Sequence, residues 1–190
     1  MEPLLSILKE SGVEFDFRGE QGHFPFRMRS EGCSMKEVTI DTGVSSQFAS
    51  ALLMSGVLLK NGLNVHMSGD RTEGSYIKMT LAMMSQFGID YVKEGNTCFV
   101  PYQPSFGLEE YQVEPDVSGA CYFYAMAPLL RTDVIVRNVH RNSLQGDIKF
   151  VEVLQKLGCQ LTDTDVGIRV SGDKLETYPG LTLSMKDFSD

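Results

Sequence analysis

The chain has 190 residues, of which 42% are hydrophobic and 22% are charged, and its formal net charge is −8. This apolar content is enough to form one or two folded domains, and it excludes an intrinsically disordered chain. The acidic balance argues against nucleic acid as a partner, because a phosphate backbone binds to a basic surface. No apolar run approaches the ~20 residues that cross a bilayer, and the first residues lack the basic segment of a signal peptide.

The cysteines and histidines form no metal-binding pattern. There is no C-x-x-C pair, and no two histidines have the i, i+4 spacing of ligands on one helix face. We therefore expect reduced thiols in a cytoplasmic protein, and neither a metal ion nor another cofactor. The residues concerned are Cys33, Cys98, Cys121, Cys159, His23, His66 and His140.

An internal repeat organises the chain, and its first part occurs three times. Each copy combines a helix with an apolar stripe, a glycine and an alternating strand. The copies span residues 4–15, 80–91 and 150–161. The stripe is clearest at Phe150, Leu154 and Leu157, which have the i, i+4, i+7 spacing of one helix face. The glycine is predicted to end the helix, where a positive φ is needed. These glycines are Gly12, Gly88 and Gly158.

The other part of the repeat occurs twice. Residues 38–47 and 111–120 each indicate a short strand, an acidic turn and a helix start rich in small polar residues. The helices that follow are apolar nearly all round, which predicts that both are buried. A strand, the striped helix and a hairpin of two strands come next. The predicted apolar helices are 48–59 and 121–130, and the predicted strands are 63–67, 89–93, 97–100, 133–137, 159–162 and 167–170.

These elements define a β-α-β-α-β-β repeat of about 70 residues and place the chain in the α/β (α+β) class. The chain holds the tail of one repeat, two whole repeats and the first strand of another, over residues 181–190. That strand ends where a helix should begin and cover the sheet. We therefore expect the chain to be a fragment of a longer protein.

The most informative junction between a strand and a helix is Ser45-Ser46-Gln47. The unpaired N–H groups and the positive dipole end of a helix start attract phosphate or carboxylate groups. Two hydroxyls and a carboxamide add hydrogen-bond donors there. The pattern favours an anion site, and the alternative is that Ser45 or Ser46 only caps the helix.

The other junctions give weaker signals. Ser118 lies beside the carboxylates of Glu114 and Asp116, which would repel an anion, so we predict that Ser118 only caps its helix. Asp147 is typical of an acidic residue at a helix start. Arg141 could bind phosphate or form a surface ion pair. The sequence has no Walker loop, dinucleotide-binding fingerprint or zinc-protease motif.

Residues 44–54 resemble the Ser-Ser-Gln helix start of the 5-enolpyruvylshikimate-3-phosphate synthases, the 3-phosphoshikimate 1-carboxyvinyltransferases. Further similar segments are 114–123, 141–150 and 153–158. The resemblance covers essentially the whole chain in order. It implies a fold of two globular halves, each built of three β-α-β-α-β-β repeats. Residues 1–112 would belong to the first half and residues 113–190 to the second.

The resemblance also implies an activity. It is the transfer of the enolpyruvyl group of phosphoenolpyruvate to the 5-hydroxyl of shikimate 3-phosphate, with release of phosphate. Ser45 and Ser46 would bind shikimate 3-phosphate, and Gln47 would lie between the two substrates and contact both. Tyr76 would line the shikimate side. Asp190 would hold the 5-hydroxyl and accept its proton during attack.

Two positions depart from the family pattern. Glu73 stands where the family often has serine, and its carboxylate would repel the substrate phosphate unless it turns away. Ser189 stands where a proline usually comes before the last aspartate. No substrate-binding role is therefore assigned to Glu73.

Two alternatives remain open. The UDP-N-acetylglucosamine enolpyruvyl transferases share the fold and the use of phosphoenolpyruvate, and a non-catalytic repeat module would instead bind a partner through its sheets. By the resemblance, the lysine and arginine residues that bind both substrates lie outside this chain, so we expect the chain alone to be inactive. The whole protein is expected to be a monomer, and exposed repeat edges predict self-association of the fragment.

Overall fold

The computed structural model describes residues 1–184. The chain divides into two compact units, of which the first spans Met1–Glu109 and the second begins at Glu110. Each unit has its own cluster of buried apolar residues. The assignment of residues 1–112 and 113–190 to two halves of a larger fold stays a prediction. Within residues 1–184, no helix has both the length and the apolar character needed to cross a membrane.

The first unit contains the complete predicted repeat. Its elements are α1 (Glu2–Glu10), β1 (Glu14–Phe17), β2 (Phe26–Arg29), β3 (Glu37–Asp41), α2 (Ser46–Gly56), β4 (Leu63–Ser68), α3 (Ser75–Gln86), β5 (Val92–Glu94) and β6 (Thr97–Val100). Strands β1 and β2 form an antiparallel pair. A four-stranded sheet has the order β3-β4-β6-β5, with β3 parallel to β4 and the other neighbours antiparallel. The β-α-β-α-β-β order is therefore confirmed from β3 to β6.

Alternation along the strands places one face of the sheet in the core. In β4, Leu63, Val65 and Met67 are buried while the residues between them are partly exposed. This is the two-residue period of a strand with one covered face. Leu53 of α2 and Ile77 of α3 are fully buried in the same cluster. Both helices therefore pack on the covered face of the sheet.

The second unit is built from fewer strands. Its elements are α4 (Val117–Leu130), β7 (Asp133–Arg137), a 3₁₀ turn (Gly146–Ile148), α5 (Lys149–Lys156), β8 (Gln160–Thr164) and β9 (Gly167–Ser171). The sheet has the order β7-β9-β8, and both pairs are antiparallel. By position in the repeat, β7, β9 and β8 correspond to β4, β6 and β5 of the first unit.

The strand expected near residues 111–114 is wrong, because residues 108–116 form no strand. Just after this segment, the backbone at Pro115 and Val117 bonds to a side chain and not to a neighbouring strand. Gln145 donates its Nε2 proton to the Pro115 carbonyl at 2.7 Å and accepts a hydrogen bond from the Val117 N–H at 2.9 Å. Of the strand expected over 181–190, residues 181–184 are not in a strand, and the remainder lies outside the described residues.

The expectation that both apolar helices are buried holds for most of α2 but not for α4. In α4, Tyr124 and Ala127 are fully buried, whereas Tyr122 and Leu129 are 77% and 73% exposed. In α2, Leu53 is fully buried and Met54 is 53% exposed. In the described residues, α4 therefore has an uncovered apolar face, whereas α2 packs against its sheet and α3 and exposes one large apolar side chain, that of Met54.

The predicted helix ends are confirmed. Gly12, Gly88 and Gly158 follow α1, α3 and α5 with φ values of +92°, +73° and +106°. At Gly158 the positive φ is the reason for glycine, because the one atom close to an added β-carbon, Leu175 Cδ1, is the end of a flexible side chain.

Several predicted boundaries are wrong by a few residues. The helix expected at 48–59 ends at Gly56, because the N–H groups of Leu58 and Leu59 bond to carbonyls three residues back in tight turns. The strand expected at 89–93 begins at Val92. The Asp90 N–H bonds to the side chain of Gln103 at 3.2 Å, so this stretch does not pair with β6.

Candidate functional site

Strands β3 and β4 bring two loops together at one edge of the sheet. The strands are parallel and Asp41 is paired with Ser68, so their carboxyl ends lie side by side. The next residue, Thr42, donates hydrogen bonds to the Ser68 carbonyl from its N–H at 2.9 Å and from its hydroxyl at 2.6 Å. Helices α2 and α3 therefore begin next to each other at this edge.

The two loops are packed closely enough to require a glycine. Gly69 has a φ of +87°, and a β-carbon there would lie 2.8 Å from Gly43 N and closer still to a carboxylate oxygen of Asp41. Asp41 itself accepts a hydrogen bond from the Gly43 N–H at 2.8 Å. These contacts hold the backbone that leads into α2.

Ser45 caps the start of α2. A helix cap was one of its two predicted roles, and part of an anion site was the other. Its backbone is extended, and its Oγ accepts a hydrogen bond from the Gln47 N–H at 3.3 Å. Ser45 is half-buried, Ser46 is buried at 6% exposure, and Gln47 is exposed. The first turn of α2 contains no acidic residue, so no side chain within that turn neutralises the positive helix end.

A hydrogen bond one turn further along connects α2 to α3. Thr80 Oγ1 is hydrogen-bonded to Ser50 Oγ and to the Tyr76 carbonyl, each at 2.8 Å. Ser46 lies four residues before Ser50, and Tyr76 lies four residues before Thr80, so each pair shares one helix face. The faces carrying Ser46 and Tyr76 therefore adjoin at the two helix starts.

Glu73, at the end of the loop that leads into α3, forms ion pairs on the side of the hairpin β5–β6. Its carboxylate is hydrogen-bonded to Lys93 Nζ of β5, and Lys78 Nζ of α3 lies 4.0 Å away. The hydrogen bond from Lys93 lowers the pKa of Glu73 below its usual value. Lys93 also donates to the Gly95 carbonyl at 2.9 Å, which fixes the ammonium at the hairpin.

The corresponding junction of the second unit is closed by its own side chains. Gln145 caps α4 through the Val117 N–H, while Asp116, at the capping position, makes no side-chain cap. Ser118 does not cap the helix, which corrects the expectation above. Its hydroxyl donates to Asp147 Oδ2 at 2.7 Å, because Ser118 lies within α4 and faces the 3₁₀ turn.

Glu114 stabilises the loop opposite the start of α4. It accepts hydrogen bonds from Ser143 Oγ at 2.6 Å, Gln145 Nε2 at 3.2 Å and the Leu144 N–H at 3.3 Å. Burial by itself would raise the pKa of Glu114, but these hydrogen bonds lower it overall. Arg141 forms a surface ion pair with Asp163 at 2.7 Å, which was one of its two expected roles.

Metal ligands and buried thiols are the other candidate groups within residues 1–184. No group of histidine, cysteine or acidic residues within 1–184 is arranged to hold a metal ion. Burial raises the pKa of Cys98 and Cys121 to about 11, so neither thiol is an activated nucleophile. A cavity of about 820 Å³ lies between α1 and β3, and the residues that line it include none of the predicted site residues.

The sequence identified the start of α2 but missed the groups that surround it. Ser45, Ser46, Gln47 and Tyr76 lie at two adjoining helix starts, whereas Asp190 lies outside the described residues. Lys93 was missed because it is 20 residues from its partner, and an ion pair at that separation has no sequence pattern. Its position opposite the loop after β4 follows only from the strand order.

Comparison with known proteins agrees with this architecture. All residues, 1–190, match the family model of EPSP synthase (3-phosphoshikimate 1-carboxyvinyltransferase). A 3-phosphoshikimate 1-carboxyvinyltransferase from Nostoc punctiforme is 32% identical, over 100% of this chain and 44% of the relative. One from Syntrophobacter fumaroxidans is 35% identical, over 90% of this chain and 40% of the relative. The chain therefore spans less than half the length of these relatives.

Solved structures show the same fold. An EPSP synthase from Acinetobacter baumannii superposes with a TM-score of 0.69 and 23% identity, over 98% of this chain and 42% of that structure. The enolpyruvyl transferase NikO from Streptomyces tendae superposes with a TM-score of 0.59 and 12% identity, over 90% and 41% of the respective chains. Because the family model matches from the first residue to the last, the chain belongs to the EPSP synthase family.

Proposed function

We propose that this chain supplies the shikimate 3-phosphate-binding region of an enzyme that transfers the enolpyruvyl group of phosphoenolpyruvate to the 5-hydroxyl of that substrate, releasing phosphate. The proposal depends on the structure at the start of α2, in a chain that belongs to this family. There Ser45 and Gln47 are accessible, and the first turn has no acidic residue. Such a helix start favours a phosphate group.

The proposed roles follow the positions of the side chains. Ser45, Ser46 and the N–H groups at the start of α2 would bind the phosphate of shikimate 3-phosphate. This requires the Gln47 N–H to exchange its bond to Ser45 Oγ for one to the phosphate, and the buried Ser46 to move. Gln47, exposed at the tip, would reach both this substrate and phosphoenolpyruvate. Tyr76, at the adjoining start of α3, would line the shikimate ring. Asp190 would accept the proton of the attacking 5-hydroxyl.

The activity of the whole protein needs groups beyond these. Two phosphorylated substrates carry several negative charges, and neutral hydroxyl and amide groups alone do not hold both in reacting positions. We therefore propose that the 190-residue chain binds shikimate 3-phosphate weakly and does not catalyse the transfer. Enolpyruvyl transfer by the chain alone would contradict this part of the proposal.

Titration of the chain with shikimate 3-phosphate, followed by amide NMR shifts, tests the proposal. The largest shifts are expected at the start of α2, and Ser45→Ala should reduce the affinity. Ser55→Ala is a matched control, because this exposed serine lies at the other end of the same helix. Preferential binding of UDP-N-acetylglucosamine would favour the sibling transferase, and no binding of either compound would favour a non-catalytic repeat module.

A cytoplasmic location and the association state are part of the same proposal. The four cysteines are free, which is consistent with a reducing compartment. The exposed apolar face of α4 is expected to make the chain self-associate, whereas the whole protein would be a monomer. Replacing Tyr122 and Leu129 together by serine should lower the mass measured by light scattering. An unchanged mass would show that this face does not drive association.

A further inference from the structure

Glu73 places a negative charge in the loop that adjoins the proposed phosphate site. The loop runs from the end of β4 to the start of α3, and its neighbour leads from β3 into α2. Thr42 and Gly69 hold the two loops in contact. A carboxylate free to swing toward the start of α2 would oppose the binding of a phosphate dianion there.

The strand order shows which way the carboxylate is directed. The order β3-β4-β6-β5 places β3 on one side of β4 and β5 on the other. Glu73 follows β4 and is hydrogen-bonded to Lys93 of β5. The carboxylate is therefore drawn to the side of β4 opposite the strand that leads into α2.

Lys93 is itself held in place, so that it can orient its partner. Its side chain is 22% exposed, compared with 58% for Glu73 and 63% for Lys78. A second hydrogen bond joins Lys93 Nζ to the Gly95 carbonyl at 2.9 Å in the hairpin turn. Lys78, at 4.0 Å from Glu73, adds charge but no comparable anchor. The ordered member of the ion pair is therefore Lys93.

We propose that Lys93 is a positioning residue for the binding of shikimate 3-phosphate, which holds the Glu73 carboxylate on the β5 side and away from the start of α2. This inference rests on the proposed function of that helix start. It accounts for a carboxylate in the loop that adjoins the proposed phosphate site. Lys93 acts through Glu73 and does not contact the ligand.

The test compares binding of shikimate 3-phosphate, and of inorganic phosphate as the simpler probe, by variants of the full chain. Lys93→Met keeps the aliphatic stem and removes the charge. Repulsion by one released carboxylate at about 10 Å from a dianion predicts a loss of affinity of about threefold to fourfold. Lys60→Met is the matched control, because Lys60 is exposed beyond the far end of α2. Its affinity should equal that of the unmodified chain.

Rescue distinguishes positioning from direct contact. The double variant Lys93→Met with Glu73→Gln should bind as well as the unmodified chain, because no carboxylate remains to be held. Lys93→Arg should also retain affinity. Unchanged binding in Lys93→Met, or weak binding that Glu73→Gln does not restore, would overturn the inference. Weaker binding by the single variant Glu73→Gln would also overturn the inference. This measurement does not depend on whether Lys93→Met folds.

The same experiment separates this inference from the proposed function. If the unmodified chain binds neither shikimate 3-phosphate nor phosphate, the helix start is not an anion site, and both statements fail. If the unmodified chain binds and Ser45→Ala weakens binding while Lys93→Met does not, only the role of Lys93 fails.

Discussion

Replacing Gln47 with glutamate acts in opposite directions on helix stability and on anion binding. Gln47 is exposed in the first turn of α2, and that turn has no acidic residue. A carboxylate near the positive end of a helix stabilises it by about 0.3–1 kcal/mol. We therefore expect the free energy of unfolding of Gln47→Glu to be equal to that of the unmodified chain or higher by this amount.

The same carboxylate should sharply weaken the binding of shikimate 3-phosphate. A phosphate dianion held by Ser45 and the first N–H groups of α2 would lie roughly 4 Å from the new charge, and repulsion in water at that distance costs about 2 kcal/mol. This corresponds to an increase of about 30-fold in the dissociation constant. A water-like dielectric is appropriate here because Gln47 is exposed.

Isothermal titration calorimetry and urea denaturation measure the two effects on one protein. Gln155→Glu is the matched control, because it adds the same charge at an exposed helical position in the second unit. It should leave the affinity unchanged. If Gln47→Glu is as stable as expected and still binds with unchanged affinity, the phosphate is not bound at the start of α2.

Two further predictions concern the loops. Gly69→Ala should destabilise the first unit by about 1–3 kcal/mol in urea denaturation, because Gly69 has a positive φ and lies against neighbouring backbone. Gly19→Ala is the control and should cost little, because a β-carbon at Gly19 would lie in open space. Equal effects of the two variants would contradict the contact between the loops. The pKa of Glu114 is lower in the folded state than its usual value of 4.5. The ionised carboxylate therefore stabilises the fold above pH 4.5, and this stability is lost as the pH falls through the pKa of the folded state. Glu114→Gln should therefore flatten the acid side of the stability profile measured by denaturation, and an unchanged slope would refute this role.

The fold was largely predictable because its signals are local. Apolar residues spaced by two identified β4 and β7, and the glycines after α1, α3 and α5 marked the helix ends. The repeat pattern failed near residue 113. The likeness of residues 111–120 to residues 38–47 predicted a strand there, but none forms, and Gln145 bonds to the backbone at Pro115 and Val117 just after this segment. Local patterns carry no information about such a partner.

The site was predictable only in part, for the same reason. Helix-start chemistry identified Ser45 and Gln47 from adjacent residues. The ion pair between Glu73 and Lys93 depends on β5 lying at the sheet edge beyond β6, which the order of strands along the chain does not specify. The exposed apolar face of α4 was also missed, because an apolar helix surface predicts burial without saying which part of the protein covers it.

The two repeats use equivalent junctions in different ways. In the first unit, Ser45 satisfies one N–H at the start of α2, and the nearby Glu73 is bound to lysines. In the second unit, Gln145 reaches across to the start of α4, and it also donates to the carboxylate of Glu114. The carboxylate of Glu114 attracts hydrogen-bond donors of this chain, and it would repel an incoming anion. We therefore expect a ligand site only at the first junction, where Gln47 is exposed, because at the second junction Gln145 occupies the helix start.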